Sequence, residues 1–150
     1  MVKTTFLLVD DDADDTALFE EVLEQVDPSI GFRVATNGQE ALEMLRSDSE
    51  ALPDIIFLDL NMPRMDGRQC LAELQQDDRL KQIPVIMYTT SSQPRDITQA
   101  LQNGALCYIT KPANLRDLEE IISVIAGNAH SGLTEALKRL STSVPACIVS

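Results

Sequence analysis

The chain has 150 residues and a formal net charge of −12 at pH 7, which fits a single acidic domain. Such a surface repels nucleic-acid phosphates and anionic membranes, so we expect neither as a partner. The chain contains neither a long apolar run nor a leader-like N-terminus, which predicts a cytoplasmic protein. Cys70, Cys107 and Cys147 share no metal-ligand spacing and are predicted to be free thiols.

Short apolar runs recur along the chain and are predicted to be strands, because each is too short for a typical helix. They lie at residues 6–9, 55–58, 85–88 and 105–109. Their continuous apolar character is typical of strands buried on both faces of a parallel sheet. A further run, residues 32–35, carries Arg33 between apolar neighbours and is predicted to lie at the sheet edge.

Between these runs, apolar residues recur at the spacing of amphipathic helices. The stripes fall within residues 18–26, 41–45, 71–74, 97–101 and 115–125. Asn37 and Asn114 each precede an acidic residue by three positions, which is the spacing of a helix-capping box. Alternating strands and helices predict an α/β fold with helices on both faces of a five-stranded parallel sheet. Right-handed crossovers leave few topologies, of which we favour the flavodoxin-like order 2-1-3-4-5.

The chain divides at a break around residues 127–132, which contains two glycines and other turn-forming residues. Residues 1–127 are predicted to form the α/β domain, and residues 128–150 a C-terminal extension. Leu133, Ala136, Leu137 and Leu140 recur at helical spacing, which predicts a short helix followed by a tail. This helix could pack on its own domain or mediate a homodimer, and the sequence leaves both possibilities open.

Polar side chains stand directly after four of the predicted strands. They are Asp10, Asp11 and Asp12, then Asp59, then Thr89, and last Lys111. In an open α/β sheet, ligands bind at the carboxyl ends of the strands, so these groups are expected to converge. Clustered carboxylates repel one another unless a cation is present, and oxygen ligands suit Mg²⁺. The set is suited to phosphoryl transfer, and Asp59, isolated between two leucines, is the candidate nucleophile.

Four segments carry a family resemblance: LLVDDD, IIFLDLNMPRMDG, IPVIMYTTSS and ALCYITKP. In order and spacing they resemble the receiver domains of two-component response regulators, over residues 4–126. The chain is most similar to single-domain receivers, which include the chemotaxis type and those that partner phytochrome-type histidine kinases. The resemblance implies a phosphorylated switch, with a sensor histidine kinase or a histidine phosphotransfer protein as donor and an unknown protein as output.

The resemblance also implies the roles of the acidic residues. Asp59 matches the phosphoacceptor. Asp11 matches the direct Mg²⁺ ligand, and Asp10 matches its neighbour, which often acts through water. The backbone carbonyl of Asn61 matches the third protein ligand.

Three further positions match the residues that sense the phosphoryl group. Lys111 matches the lysine that contacts it, and the bond to Pro112 is expected to be cis. Thr89 matches the switch hydroxyl and Tyr108 the aromatic switch, although Tyr108 could instead simply cap the edge of its strand.

Three alternatives compete with this interpretation. A calcium-binding EF-hand loop starting at Asp10 is disfavoured because Asp15 stands where glycine is required. A haloacid-dehalogenase-like phosphatase also uses aspartate and Mg²⁺, but the threonine of its DxDxT motif is missing here. A constitutive scaffold with an inactive receiver fold is disfavoured by the intact site. The lone His130 is interpreted as a solvated side chain, so the phosphoryl group is expected to come from another molecule.

Overall fold

The computed structural model describes residues 3–47, 51–145 and 148–149. Its centre is a sheet with strand order β2-β1-β3-β4-β5-β6, in which the first five strands are parallel and β6 is antiparallel to β5. The strands are β1 Thr5–Val9, β2 Gly31–Ala35, β3 Ile55–Leu58, β4 Val85–Thr89, β5 Cys107–Thr110 and β6 Ile148–Val149. The predicted flavodoxin-like order is confirmed, and β2 lies at one edge as expected.

The helices follow the strands in alternation, and two of them begin at the caps that the sequence predicts. They are α1 Ala13–Val26, α2 Gly38–Arg46, α3 Gly67–Gln76, α4 Pro94–Gln102, α5 Leu115–Gly127 and α6 Leu133–Ser143, with a 3₁₀ turn at Leu80–Gln82. The Asn37 side chain accepts a hydrogen bond from the Glu40 amide, and Asn114 does the same for Asp117. Within the described ranges, no helix is long and apolar enough to span a membrane.

Helices cover both faces of the sheet, which explains why the strands are continuously apolar. On one face, side chains of α1 and α5 pack against β1 and β3, and Phe19 lies 4.9 Å from Phe57 between ring centroids. On the other face, α2, α3 and α4 contribute Leu42, Leu71 and Ala100 to a second core. Because the central strands are buried from both sides, their carboxyl ends are held rigidly beside one another.

The C-terminal extension packs on the same domain. Ala136, Leu137 and Leu140 are buried, and the two leucines belong to the first core, so the apolar stripe of α6 is covered by its own chain. The antiparallel strand β6 was not predicted; it places Ile148 opposite Ile109 at the free edge of β5. A strand of two residues has no periodicity to detect, and its partner is remote in sequence.

Candidate functional site: an acidic cluster with a buried lysine

Carboxylates from two adjacent strands meet at the carboxyl edge of the sheet. Val9 of β1 lies beside Leu58 of β3, so the next residues of both strands emerge together. Carboxylate oxygens of Asp10, Asp11 and Asp59 lie within 4.8 Å of one another. Asp10 and Asp59 are buried, whereas Asp11 is exposed.

The cluster is held in place by the backbone around it. The Asp59 amide donates a hydrogen bond to the Val9 carbonyl at 3.0 Å, which fixes the end of β3 against β1. Asn61, whose carbonyl was predicted as a metal ligand, lies two residues further along in the exposed loop after β3. The predicted metal residues therefore share one edge of the sheet.

The charge balance of this cluster suits a divalent cation. Burial raises the pKa of Asp10 above its ordinary value, although the nearby ammonium group of Lys111 and the hydrogen bond from the Asp12 amide partly oppose that effect. Asp10 Oδ2 is buried and, although close to Lys111 Nζ, has no partner of hydrogen-bond geometry within the described ranges. Several carboxylates and a single ammonium group leave excess negative charge, and oxygen ligands match a hard divalent ion.

Lys111 carries the positive charge of the site. Its amide donates to the Thr89 carbonyl at 2.7 Å, which continues the pairing of β4 and β5 beyond Thr110. Its Nζ atom lies 2.7 Å from Asp10 Oδ2, 2.7 Å from Asp15 Oδ2 and 3.8 Å from Asp59 Oδ2. Burial opposes the charged form, but the nearby carboxylates of Asp10 and Asp15 outweigh it, so the pKa of Lys111 is raised. Lys111 is therefore an ammonium group at neutral pH.

The expectation of a cis bond between Lys111 and Pro112 is wrong. The described residues contain no cis peptide bond, so this bond is trans. The trans form of an X–Pro bond is intrinsically favoured by about 0.5–1 kcal/mol, and nothing in the contacts of Lys111 requires the other isomer.

Both switch candidates lie in the interior, and each contacts Ser91. Thr89, at the end of β4, is fully buried, and its hydroxyl oxygen lies 3.5 Å from the Ser91 amide. The Tyr108 ring is also buried, and its hydroxyl donates to the Ser91 carbonyl at 2.9 Å. Tyr108 is thus a residue of the second core.

An ion pair that the sequence analysis missed fixes the loop between β4 and α4. Arg68 of α3 donates to Asp96 Oδ1 at 2.7 Å, and the Ser91 hydroxyl donates to Asp96 Oδ2 at 2.6 Å. These two hydrogen bonds lower the pKa of the Asp96 carboxyl below its usual range, and the one from Ser91 has the larger effect. Because Ser91 also contacts Thr89 and Tyr108, this pair anchors the loop that joins both switch candidates.

Asp96→Asn is expected to lower the free energy of unfolding by about 1–2 kcal/mol at pH 7, since charge-assisted hydrogen bonds are lost. The folded pKa of Asp96 lies below its unfolded value, so its stabilisation is fully present at neutral pH. It begins to be lost as pH falls below the unfolded pKa of about 3.9 and is gone below the folded pKa. Urea denaturation of both proteins at pH 7 and pH 3 should show the difference shrinking. The exposed control Asp78→Asn should change stability little at pH 7; a pH-independent difference for Asp96→Asn would contradict the account.

A glycine brings the loop after β3 close to the acceptor residue. Asp66 caps α3 by accepting from the Gln69 amide, and the Gly67 amide donates to the Leu60 carbonyl at 2.8 Å. A Cβ atom at Gly67 would overlap the Asp59 carbonyl oxygen and lie 2.8 Å from Leu60 Cα. Only glycine allows this approach, so the start of α3 is packed directly against the backbone of Asp59.

The remaining chemically active side chains lie away from the site. Cys70 and Cys107 are free and buried, and burial raises the pKa of each thiol to about 12. Cys147 lies outside the described residues. His130 is exposed, as expected, but its Nε2 lies 2.7 Å from the Thr4 hydroxyl, which ties the extension to the start of β1.

Comparison with known proteins identifies the family to which this fold and this acidic edge belong. Residues 6–123 match the model of the response regulator receiver domain family. The chain belongs to this family, which serves two-component signalling. The response regulator Rcp1 of Synechocystis is 37% identical over 123 residues, covering 79% of this chain and 84% of Rcp1.

Solved structures extend the similarity to the whole receiver fold. The Mn²⁺-bound form of Rcp1 matches with a TM-score of 0.75 and 34% identity, covering 83% of this chain and 92% of the other. The phosphorylated cyanobacterial phytochrome response regulator RcpA matches with a TM-score of 0.77 and 37% identity, covering 83% and 91%. These similarities support the resemblance to phytochrome-associated receivers drawn from the sequence.

Proposed function

We propose that this receiver accepts a phosphoryl group on Asp59 from the phosphohistidine of a sensor kinase or phosphotransfer protein, with Mg²⁺ as cofactor. The observation that carries the proposal is the position of Asp59: it lies in one cluster with Asp10 and Asp11, and 3.8 Å from Lys111 Nζ. Two relatives support it, since Rcp1 was solved with Mn²⁺ and RcpA in a phosphorylated form.

In the proposed transfer, a carboxylate oxygen of Asp59 attacks the phosphorus atom of the donor. A P–O bond forms, the P–N bond breaks, and its electron pair returns to the donor's imidazole nitrogen. Lys111 and the Thr89 hydroxyl would stabilise the negative charge of the transferred group. Asp10, Asp11, Asp59 and the Asn61 carbonyl would hold Mg²⁺, which supplies further charge neutralisation.

The proposed output is a change of shape rather than catalysis, so the chain acts as a switch and not as an enzyme. A phosphoryl group on Asp59 would offer a stronger acceptor to the Thr89 hydroxyl than its present surroundings do. Thr89 and Tyr108 both contact Ser91, and Ser91 also donates to Asp96 of α4. Movement of Thr89 would therefore displace residues of β5 and α4. A small local change of charge would in this way shift the populations of two conformations of the surface that binds an output protein.

The proposal is tested by incubating the protein with acetyl phosphate and Mg²⁺ and measuring its intact mass. We expect the gain of one phosphoryl group per chain and no sustained release of p-nitrophenol from p-nitrophenyl phosphate. Multiple turnovers of that phosphomonoester, abolished by Asp59→Asn, would instead support the phosphatase alternative. Absence of both phosphorylation and turnover, with Mg²⁺ bound, would favour an inactive scaffold.

Divalent cations are expected to stabilise the folded protein, because the acidic cluster exists only in the native state. Binding at about ten times the dissociation constant adds about 1.4 kcal/mol to the free energy of unfolding. Thermal melts with and without Mg²⁺ should show this increase in the wild type and lose most of it in Asp11→Asn. Glu21→Gln, which removes an exposed charge elsewhere on α1, should retain it; equal loss in both variants would count against the site.

A further inference from the structure

Asp15 is a contact of Lys111 that the proposed transfer does not use. It lies in the first turn of α1, and its carboxylate oxygen is 2.7 Å from Lys111 Nζ. The same nitrogen is 3.8 Å from Asp59, so Asp15 is nearer to the ammonium group than the acceptor is. The Asp15 side chain is 35% exposed to solvent, whereas the Lys111 side chain is 9% exposed.

The position of Asp15 is set by the start of the helix. Asp12 caps α1 by accepting hydrogen bonds from the amides of Asp14 and Asp15 at 3.0 and 3.1 Å. This cap directs the first turn of α1 over the carboxyl edge of the sheet. The contact between Asp15 and Lys111 therefore joins the first turn of a capped helix to the residue that directly follows β5, whose amide is hydrogen-bonded to the Thr89 carbonyl.

We propose that Asp15 is a positioning residue that competes with the phosphoryl group on Asp59 for the ammonium group of Lys111. This inference rests on the proposed function. In the unmodified protein, Lys111 is held between Asp10 and Asp15. To contact a phosphoryl group on Asp59, the ammonium group must lose or lengthen its contact with one of these partners, and Asp15 is the more exposed of the two. Asp15 thus biases the switch toward its unmodified state.

The chain offers a matched control for this idea. Asp14 precedes Asp15 in the same helical turn and is exposed, and its amide is held by the same cap. Asp14→Asn removes the same charge from the same region without removing a partner of Lys111. Asp15→Glu keeps the carboxylate and is expected to restore the contact.

The affinity for beryllofluoride, an analogue of the phosphoryl group, can be measured in Mg²⁺ by following backbone amide signals in NMR. Asp15→Asn is expected to bind roughly fivefold more tightly than the wild type, at the low end of typical coupling because Asp15 is partly exposed. Asp14→Asn should change affinity less than twofold (a long-range charge effect only), and Asp15→Glu should resemble the wild type. Equal affinities of Asp15→Asn and Asp14→Asn, or weaker binding by Asp15→Asn, would overturn the inference.

A second readout needs no divalent cation. The Lys111 ammonium protons should give an observable, slowly exchanging signal in the wild type, and faster exchange in Asp15→Asn but not in Asp14→Asn. An unchanged signal in Asp15→Asn would overturn the role of Asp15 while leaving the proposed function intact. If the wild type and all variants take no beryllofluoride in Mg²⁺, the proposed function fails and the inference fails with it.

Discussion

Asp59→Asn is expected to abolish phosphorylation by acetyl phosphate completely, because the neutral amide has no nucleophilic oxygen to form the acyl phosphate. Intact-mass measurement after a timed incubation with Mg²⁺ gives the labelled fraction directly. The exposed control Asp78→Asn should be labelled like the wild type. Labelling of Asp59→Asn to the wild-type level would show that the acceptor is another residue.

Loss of labelling in Asp59→Asn should not be accompanied by loss of the fold. Asp59 contributes one of the clustered negative charges, and it is also among the charges that raise the pKa of Asp10. Removing it relieves repulsion, so without divalent cations the variant should melt at the same temperature as the wild type or higher. A large decrease in melting temperature would mean that Asp59 has a structural role that its contacts do not explain.

Gly67→Ala is expected to have the largest effect on stability of any single methyl addition described here. The added Cβ would overlap the Asp59 carbonyl oxygen. Neither residue can move easily, because the Asp59 backbone is hydrogen-bonded to β1 and Gly67 follows the cap of α3. Overpacking of this kind costs about 1–3 kcal/mol or more in free energy of unfolding. Urea denaturation measures it, and the rate of phosphorylation should fall as well because the end of β3 is displaced.

Gly127→Ala is the matched control for that experiment. Gly127 ends α5, and an added Cβ there would meet nothing within 4 Å. Alanine in place of glycine in a helix adds up to about 1 kcal/mol of stability. If Gly67→Ala were as stable as the wild type or more stable, as is expected of Gly127→Ala, the loop after β3 would be able to relax, and the tight packing at Gly67 would be contradicted.

The strands and the acidic edge were predictable because both depend on local signals. A buried parallel strand must be apolar on both faces, so residues 55–58 stand out in the sequence. The polar residues that follow such strands meet at one edge once the strands are parallel. The sequence therefore predicts that four side chains converge, those of Asp10, Asp11, Asp59 and Lys111. In the structure the three carboxylates lie close together, and Lys111 Nζ is within 4 Å of Asp10 and Asp59.

The features that were missed depend on pairs of residues remote from one another in sequence. Nothing in the sequence pairs Asp15 with Lys111, and only the direction of α1 shows that the two side chains meet. Arg68 and Asp96 lie 28 residues apart, and neither belongs to a recognisable pattern. The strand β6 is too short to predict and exists because β5 has a free edge.

The most direct test of the account is to locate the phosphoryl group by tandem mass spectrometry, after phosphorylation with acetyl phosphate and Mg²⁺ and rapid proteolysis. We expect a single modified residue, Asp59, in the peptide that continues from β3. Modification at Asp10, Asp11 or any residue outside this cluster, with Asp59 unmodified, would contradict the central claim that Asp59 is the phosphoacceptor.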